Sequence, residues 1–283
     1  MKYSYYSGCR ERVLTRDYNA LCKFVHDNGY VAMELLENWF VDDPLFNTVD
    51  EAEKFKDILD ANKLCVSCYS VYIDVYTEAE IAKEYLKKQI RIANAVGSPY
   101  FHHTIYPPLV CSDKSFEELL GSVKPTLCEI IRYAASYGFT VLYEPQGMYF
   151  NGDAFIDFIK ELKNEDGCND VGVCFDNGNS AFVDYPPYEL LCKTLENVKH
   201  VHIKDYKYLS DDETANLYVT KSGKKMREVQ YGHGDMRGID CIRVLEKNGY
   251  SGFYSTELNL QDKQISADEA GCRAVAELKE TFK

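Results

Sequence analysis

A closed (β/α)8 barrel is the fold this sequence predicts, and three observations predict it. Short apolar, β-rich runs recur about every 25 to 40 residues, amphipathic stretches of helical period separate them, and no Pro/Gly/Ser-rich linker breaks the alternation. About eight such units close a barrel. Length alone is neutral: 283 residues suit one large domain or two small ones, and single-domain barrels of about 250 residues are common. The unbroken repeat favours one domain over residues 1–283.

The strands read, in order, as Tyr3–Ser7, Tyr30–Leu36, Cys65–Val75, Tyr100–Thr104, Thr140–Glu144, Val171–Phe175, His200–Ile203 and Phe253–Glu257. Between the first two, Thr15 is placed to cap a helix over Arg16–Asn28, which Gly29 ends. Thr77 and Glu80 have the spacing of a capping box for Glu78–Ala95, with Gly97 after it. Ser115 and Glu118 form a second such pair, opening a helix that runs past Ile130 to Tyr137 and stops at Gly138. Ile239–Lys247 ends at Asn248-Gly249, and Ser266 with Glu269 opens a terminal helix through Leu278. The segment Tyr206–Tyr231 keeps neither period for long. It reads as a long loop with a β-hairpin around Ser222-Gly223, either a lid over the site or a solvated decoration.

Charge and cysteine usage narrow the function. A formal charge of −13, from 32 basic against 45 acidic residues, opposes binding to nucleic acid or to an anionic membrane. A small neutral or metal-shielded ligand fits better. The start Met1-Lys2-Tyr3-Ser4-Tyr5-Tyr6 lacks the layout of a secretion signal, and no apolar run approaches the roughly 20 residues that span a bilayer, so a cytoplasmic location is expected. The 11 cysteines, odd in number and scattered, suit a reducing compartment rather than a disulfide framework. Cys65 and Cys68 have CxxC spacing, but in a strand an offset of three sends the two side chains to opposite faces.

The chemistry lies at strand ends, because the C-terminal ends of barrel strands converge on one mouth. Four of them carry metal-ligand types. Val141-Leu142-Tyr143 terminates in Glu144, and Val173-Cys174-Phe175 in Asp176. His200-Val201-His202-Ile203-Lys204 points His200, His202 and Lys204 to one side, and Phe253–Thr256 closes on Glu257. Singly, such residues are ordinarily helix caps, surface charges or hydrogen-bonded core histidines. Jointly they are harder to dismiss, since several carboxylates buried at one mouth cost many kcal/mol unless a cation neutralises them. Glu, Asp, His and Glu form an oxygen-rich set suited to Mn²⁺, Mg²⁺, Co²⁺ or Zn²⁺.

Glu144 within YEP, Asp176 within FDNGN, the HVHIKD run, Gly232-His233-Gly234 ahead of a helix ending in NGY, and Gly252 leading to Glu257 resemble the xylose isomerase-like barrels of the sugar phosphate isomerase/epimerase group. The resemblance covers essentially the whole chain. It implies a (β/α)8 barrel with one divalent ion, Mn²⁺ foremost, held by Glu144, Asp176, His202 and Glu257 on strands five to eight. It further implies deprotonation next to the carbonyl of a ketose, keto-sugar or related polyol, through an enediolate, with Glu144 and Glu257 as acid and base on opposite faces. Where many members have a histidine three residues after the Asp, this chain has Asn179, an amide that can bind a hydroxyl but cannot shuttle protons. Lys204 is shared with a branch that includes keto-inositol dehydratases. It is a candidate proton donor or oxyanion ligand, or else an ion-pair partner of Asp205 or Glu257.

Further candidates for substrate contact are His102 and His103, of which alternation sends only one inward, with His103 preferred. Trp39, whose ring suits stacking on a sugar face or else hydrophobic cover, joins them, as do the similarly placed Tyr6, Tyr72 and Gln146, and His233 from its glycine-flanked loop. Glu34, a charge inside the apolar run Ala32–Leu36, is expected to order the barrel floor by hydrogen bonding. No Gly-rich phosphate cradle is present, which favours a non-phosphorylated sugar, polyol or glycoside. Rival readings are a keto-sugar or keto-inositol dehydratase or lyase, including C-glycoside cleavage, on the same metal site; a non-catalytic sugar-binding barrel; and an apurinic endonuclease, which the acidic charge and 6 histidines oppose. Members of the group often pair, so the resemblance raises a homo-oligomer, although the sequence marks no interface.

Overall fold

A computed structural model describes residues 1–8, 11–37, 44–105, 114–147, 150–210, 212–213, 218–258, 260 and 265–283. In chain order its strands are β1 (Lys2–Tyr6), β2 (Ala32–Leu36), β3 (Cys65–Val71), β4 (Tyr100–His103), β5 (Thr140–Tyr143), β6 (Val171–Asp176), β7 (Val198–His202), β8 (Tyr206–Tyr208), β9 (Tyr218–Val219), β10 (Lys225–Glu228) and β11 (Phe253–Ser255). The helices are α1 (Glu11–Leu14), α2 (Tyr18–Asp27), α3 (Val49–Ala61), α4 (Ala79–Ala95), α5 (Phe116–Ala135), α6 (Gly152–Asn164), α7 (Pro187–Thr194), α8 (Gly238–Lys247) and α9 (Ala267–Thr281). Eight parallel strands close in the order β1-β11-β7-β6-β5-β4-β3-β2, with helices in the connections. This is the (β/α)8 barrel the repeat predicts. No helix among the described residues is long and apolar enough to cross a membrane.

Strand alternation divides each strand between two environments. Outward residues such as Tyr5, Met33, Tyr69, Phe101, Val141, Phe175 and Tyr254 join one large core under the helices. Inward residues are smaller or polar: Cys68, Leu142 and Cys174 pack together inside the barrel, and Ser4 Oγ lies 2.7 Å from Ser67 Oγ. Cys65 is exposed and Cys68 buried, as the three-residue offset requires.

Caps follow local chemistry, with two departures from the sequence reading. Ser115 and Glu118 make both bonds of their capping box, and Ser266 accepts from the Glu269 amide. Thr15 does not cap α2; Asp17 does, its carboxylate accepting from Ala20 N at 3.0 Å. Thr77 does not cap α4 either. Its hydroxyl donates to Asp74 at 2.7 Å, so the nearer carboxylate outcompetes the helix end. The segment Tyr206–Tyr231 is more regular than expected: β9 and β10 form a hairpin across Ser222-Gly223, and β8 adds to β10, giving an antiparallel three-stranded sheet.

Candidate metal centre

The sheet register brings the ligand-bearing ends of β5, β6, β7 and β11, three acidic and one histidine, side by side on one arc of the mouth. One donor atom from each of Glu144, Asp176, His202 and Glu257 lies within 4.8 Å of the others. Glu144 follows directly after β5 and Glu257 comes two residues after β11, while Asp176 and His202 end their strands.

Each donor is oriented by bonds that occupy its other atoms. Asp176 Oδ1 accepts from the backbone N–H groups of Gly178 and Asn179, both at 2.6 Å, leaving Oδ2 to the cluster. Asn179 donates its side-chain amide to Glu144 Oε1 at 2.7 Å, and Asn151 in turn donates to the Asn179 carbonyl at 2.9 Å. His202 offers Nδ1, 2.9 Å from Glu257 Oε2 and 3.4 Å from Glu144 Oε1, because Glu34 holds its Nε2 at 3.0 Å. Lys204 Nζ pairs with Glu257 Oε1 at 2.8 Å and Asp176 Oδ2 at 3.3 Å. It does not pair with Asp205, whose carboxylate instead accepts from the N–H groups of Gly232 and Gly234 at 2.9 and 3.0 Å.

This donor set fits a divalent cation. Asp176 Oδ2 and Glu257 Oε2 are buried and make no aligned hydrogen bond, a costly state for carboxylate oxygens. Three carboxylates and one imidazole supply the hard oxygen-rich ligation that Mn²⁺ or Mg²⁺ takes and that Zn²⁺ tolerates. A second group, Cys174, His200 and His202, is equally close, but Glu34 already engages Nε2 of both imidazoles.

The electrostatics separate the two glutamates. Burial pushes the Glu144 carboxyl up to about 7, against the pull of His202. Burial also acts to raise Glu257, but the Lys204 ammonium and His202 outweigh it and hold it down at about 2. Burial would lower Lys204, yet Asp176 and Glu257 keep it well above the usual lysine range.

Glu144, His202 and Glu257 of the cluster line a cavity of about 400 Å³. Of the residues expected to touch substrate, His102, Gln146, Asn179, Tyr6 and Tyr72 line this cavity. His103 does not. Alternation turns His102 inward, 3.8 Å from Glu144, and sends His103 into the outer core, with Nε2 3.2 Å from the Tyr143 hydroxyl. Both His102 ring nitrogens lack a hydrogen-bond partner, and burial pulls its pKa down to about 3, so it is neutral. His233 lies away from the cavity, exposed and 3.2 Å from Glu277. Trp39 lies outside the described residues. Sequence reasoning missed Ser70, Phe182, Tyr206, Tyr218 and Glu228, which also line the cavity. The last three come from the small sheet, where no periodicity marked them.

A parallel eight-stranded barrel with a carboxylate-rich donor cluster at the C-terminal mouth defines a class of proteins that includes many metal-assisted enzymes. Within it, the chain belongs to the xylose isomerase-like TIM barrel family, whose model matches residues 22–278. An inosose dehydratase of Clostridium perfringens is 30% identical over 113 residues, 39% of this chain and 37% of that relative, so the match spans little more than a third of its length. The D-psicose 3-epimerase of Clostridium cellulolyticum H10, solved with D-tagatose, superposes with a TM-score of 0.76 at 12% identity over 100% of both chains. A xylose isomerase-like TIM barrel protein of Mycobacterium smegmatis, solved in complex with magnesium, covers 93% of this chain and 87% of its own, with a TM-score of 0.70 and 17% identity. At such identities these two likenesses show the fold alone.

Proposed function

We propose that the protein is a divalent-metal-dependent isomerase or epimerase that moves a proton next to the carbonyl of a ketose, keto-sugar or related polyol. Glu144, Asp176, His202 and Glu257 would hold the ion, with Mn²⁺ as the ion of choice. The observation that carries this reading is the convergence of four donor atoms, two of them buried carboxylate oxygens that lie against Lys204 and His202 without an aligned hydrogen bond. The bound ion would neutralise negative charge that develops on the substrate oxygens as the adjacent C–H is deprotonated.

The chain's own groups divide the proton work. Glu257, held ionised by Lys204 and His202, is the base. Glu144 returns the proton to the substrate carbon. Asn179 fixes Glu144 through Oε1, which leaves Oε2 facing neutral His102. Lys204 limits charge build-up beside the base, while His102, Gln146 and Asn179 present uncharged polar groups to hydroxyls. Apart from Lys204, the cavity lining holds no lysine or arginine among the described residues, which supports a substrate without a phosphate. The small sheet over residues 206–228 walls the cavity and serves as its cover, in one barrel domain of cytoplasmic location.

One observation favours a second reading. A buried ammonium at the mouth could protonate a departing hydroxyl, which suits a keto-inositol or keto-sugar dehydratase, and the 30%-identical relative is an inosose dehydratase. The test is metal analysis of the purified protein, followed by incubation with ketoses and keto-inositols in D₂O. Deuterium at the carbon beside the carbonyl with an epimeric product upholds the first reading. Loss of water from the substrate transfers the site to the second, and no exchange with any of the panel refutes both.

A further inference from the structure

The charge inside β2 does more than fill the floor. Glu34 is fully buried, and its carboxylate reaches across the barrel interior to β7, where Oε2 lies 2.8 Å from His200 Nε2. Both of its oxygens lie 3.0 Å from His202 Nε2. Ser70 of β3 clamps Oε1 from the other side, its hydroxyl donating at 2.7 Å.

The backbone is irregular at both ends of this contact. Between β2 and β3 the register slips by one residue, so that Met33 faces Val66 while Glu34 faces Cys68. Between β6 and β7 a matching slip falls between Val173, which faces Val198, and Cys174, which faces His200. Such irregularities re-aim side chains beside functional sites.

Two acceptor oxygens facing two imidazole Nε2 atoms leave one consistent arrangement: both rings carry their proton on Nε2. For His202 that choice leaves the Nδ1 lone pair aimed at the cluster, 2.9 Å from Glu257 Oε2. We infer that Glu34 is a positioning residue for the metal centre, fixing His202 as the Nε2-protonated ring and presenting Nδ1 as a ligand, with Ser70 and His200 holding the carboxylate in place. The inference rests on the metal reading proposed above. It adds that part of the centre's affinity is set from the opposite side of the barrel, by a group that touches neither ion nor substrate. A carboxylate behind a ligating histidine both orients the ring and strengthens it as a donor.

The substitution Glu34→Gln tests this. A glutamine keeps one acceptor oxygen and puts an NH₂ donor in place of the other, so one of the two atoms now 3.0 Å from His202 Nε2 can no longer accept its proton. Turning its NH₂ toward His202 would favour a proton on Nδ1, the atom the ion needs. The readouts are Co²⁺ titration followed by the visible absorption of the ion, and the Nε2–H proton resonance of His202 in the Zn²⁺-loaded, ¹⁵N-histidine-labelled protein. Expected are a loss of Co²⁺ affinity of roughly 10–100-fold and an upfield shift of that proton, with far-ultraviolet circular dichroism unchanged. Equal affinity and an unmoved resonance in E34Q overturn the inference while leaving the metal reading intact. Wild-type protein that takes up no Co²⁺ overturns both. If E34Q does not fold, Ser70→Ala decides: weaker Co²⁺ binding with an upfield-shifted resonance upholds the inference, and wild-type behaviour overturns it.

Discussion

The two arcs of the barrel mouth are built from the same βα repeat and carry opposite chemistry. The arc β5, β6, β7 and β11 supplies every member of the four-residue donor cluster, in neighbouring strands. The arc β1 to β4 supplies Tyr6, Ser70 and His102 to the cavity, none of them charged as a carboxylate, and sends the buried acid of β2, Glu34, across the interior to brace β7. The difference teaches that the fold separates holding from bracing: one arc concentrates negative charge, and the other orients it with neutral or fully satisfied groups.

The sharpest way to break that comparison is to disable the holding arc. Glu257→Gln keeps the shape but removes the charge that pairs with Lys204, so deuterium exchange should fall by about 10³-fold. A chelator should do the same to the wild type, reversibly on adding Mn²⁺; exchange that survives either treatment ends the assignment. Next comes a change on the bracing arc that should leave metal affinity untouched. Burial lowers the His103 pKa to about 4, so the unfolded chain takes up this proton first as acid is added, and the wild type loses stability as pH falls below about 6.5. His103→Gln cannot titrate. Its stability deficit against wild type in urea unfolding should therefore shrink by about 2 kcal/mol between pH 7 and pH 5. A constant deficit would mean His103 is not held neutral.

Smaller effects sharpen the picture. Asn179→Ala frees Glu144 Oε1 and should slow exchange about 10-fold while changing stability little; an unaltered rate would take Asn179 out of the machinery. Ser115→Ala, far from either arc, removes half of the α5 capping box and should cost about 1 kcal/mol with full activity. Loss of activity there would show that the arcs are not separable from the outer helices.

Much of this was legible because its physics is local. The repeat of apolar runs fixes the barrel, and carboxylates closing apolar strands mark the arc that holds Glu144, Asp176 and Glu257. Period-two alternation in one strand pairs His202 with Lys204. What was hidden depends on partners far away in sequence. Alternation says that one of His102 and His103 faces inward but not which, since that follows from the pairing of β4 with β3 and β5. Thr77 and Thr15 lost their caps to competing acids, Asp74 and Asp17. Phe182, Tyr218 and Glu228 reach the cavity through loop and sheet geometry that carries no periodic signal.

Asp205 carries a last consequence. Its carboxylate receives the N–H groups of Gly232, Gly234 and Met236, and its carbonyl that of Val229, while Tyr206 O receives Asp235 N. A side chain at Gly234 would sit 2.2 Å from Asp205 Oδ1, so only glycine closes this knot. Both feet of the excursion between 206 and 231 are thereby tied at a single point beside Lys204. The stretch between those feet is therefore an exchangeable visor: its length and sequence can change without moving the floor beneath it.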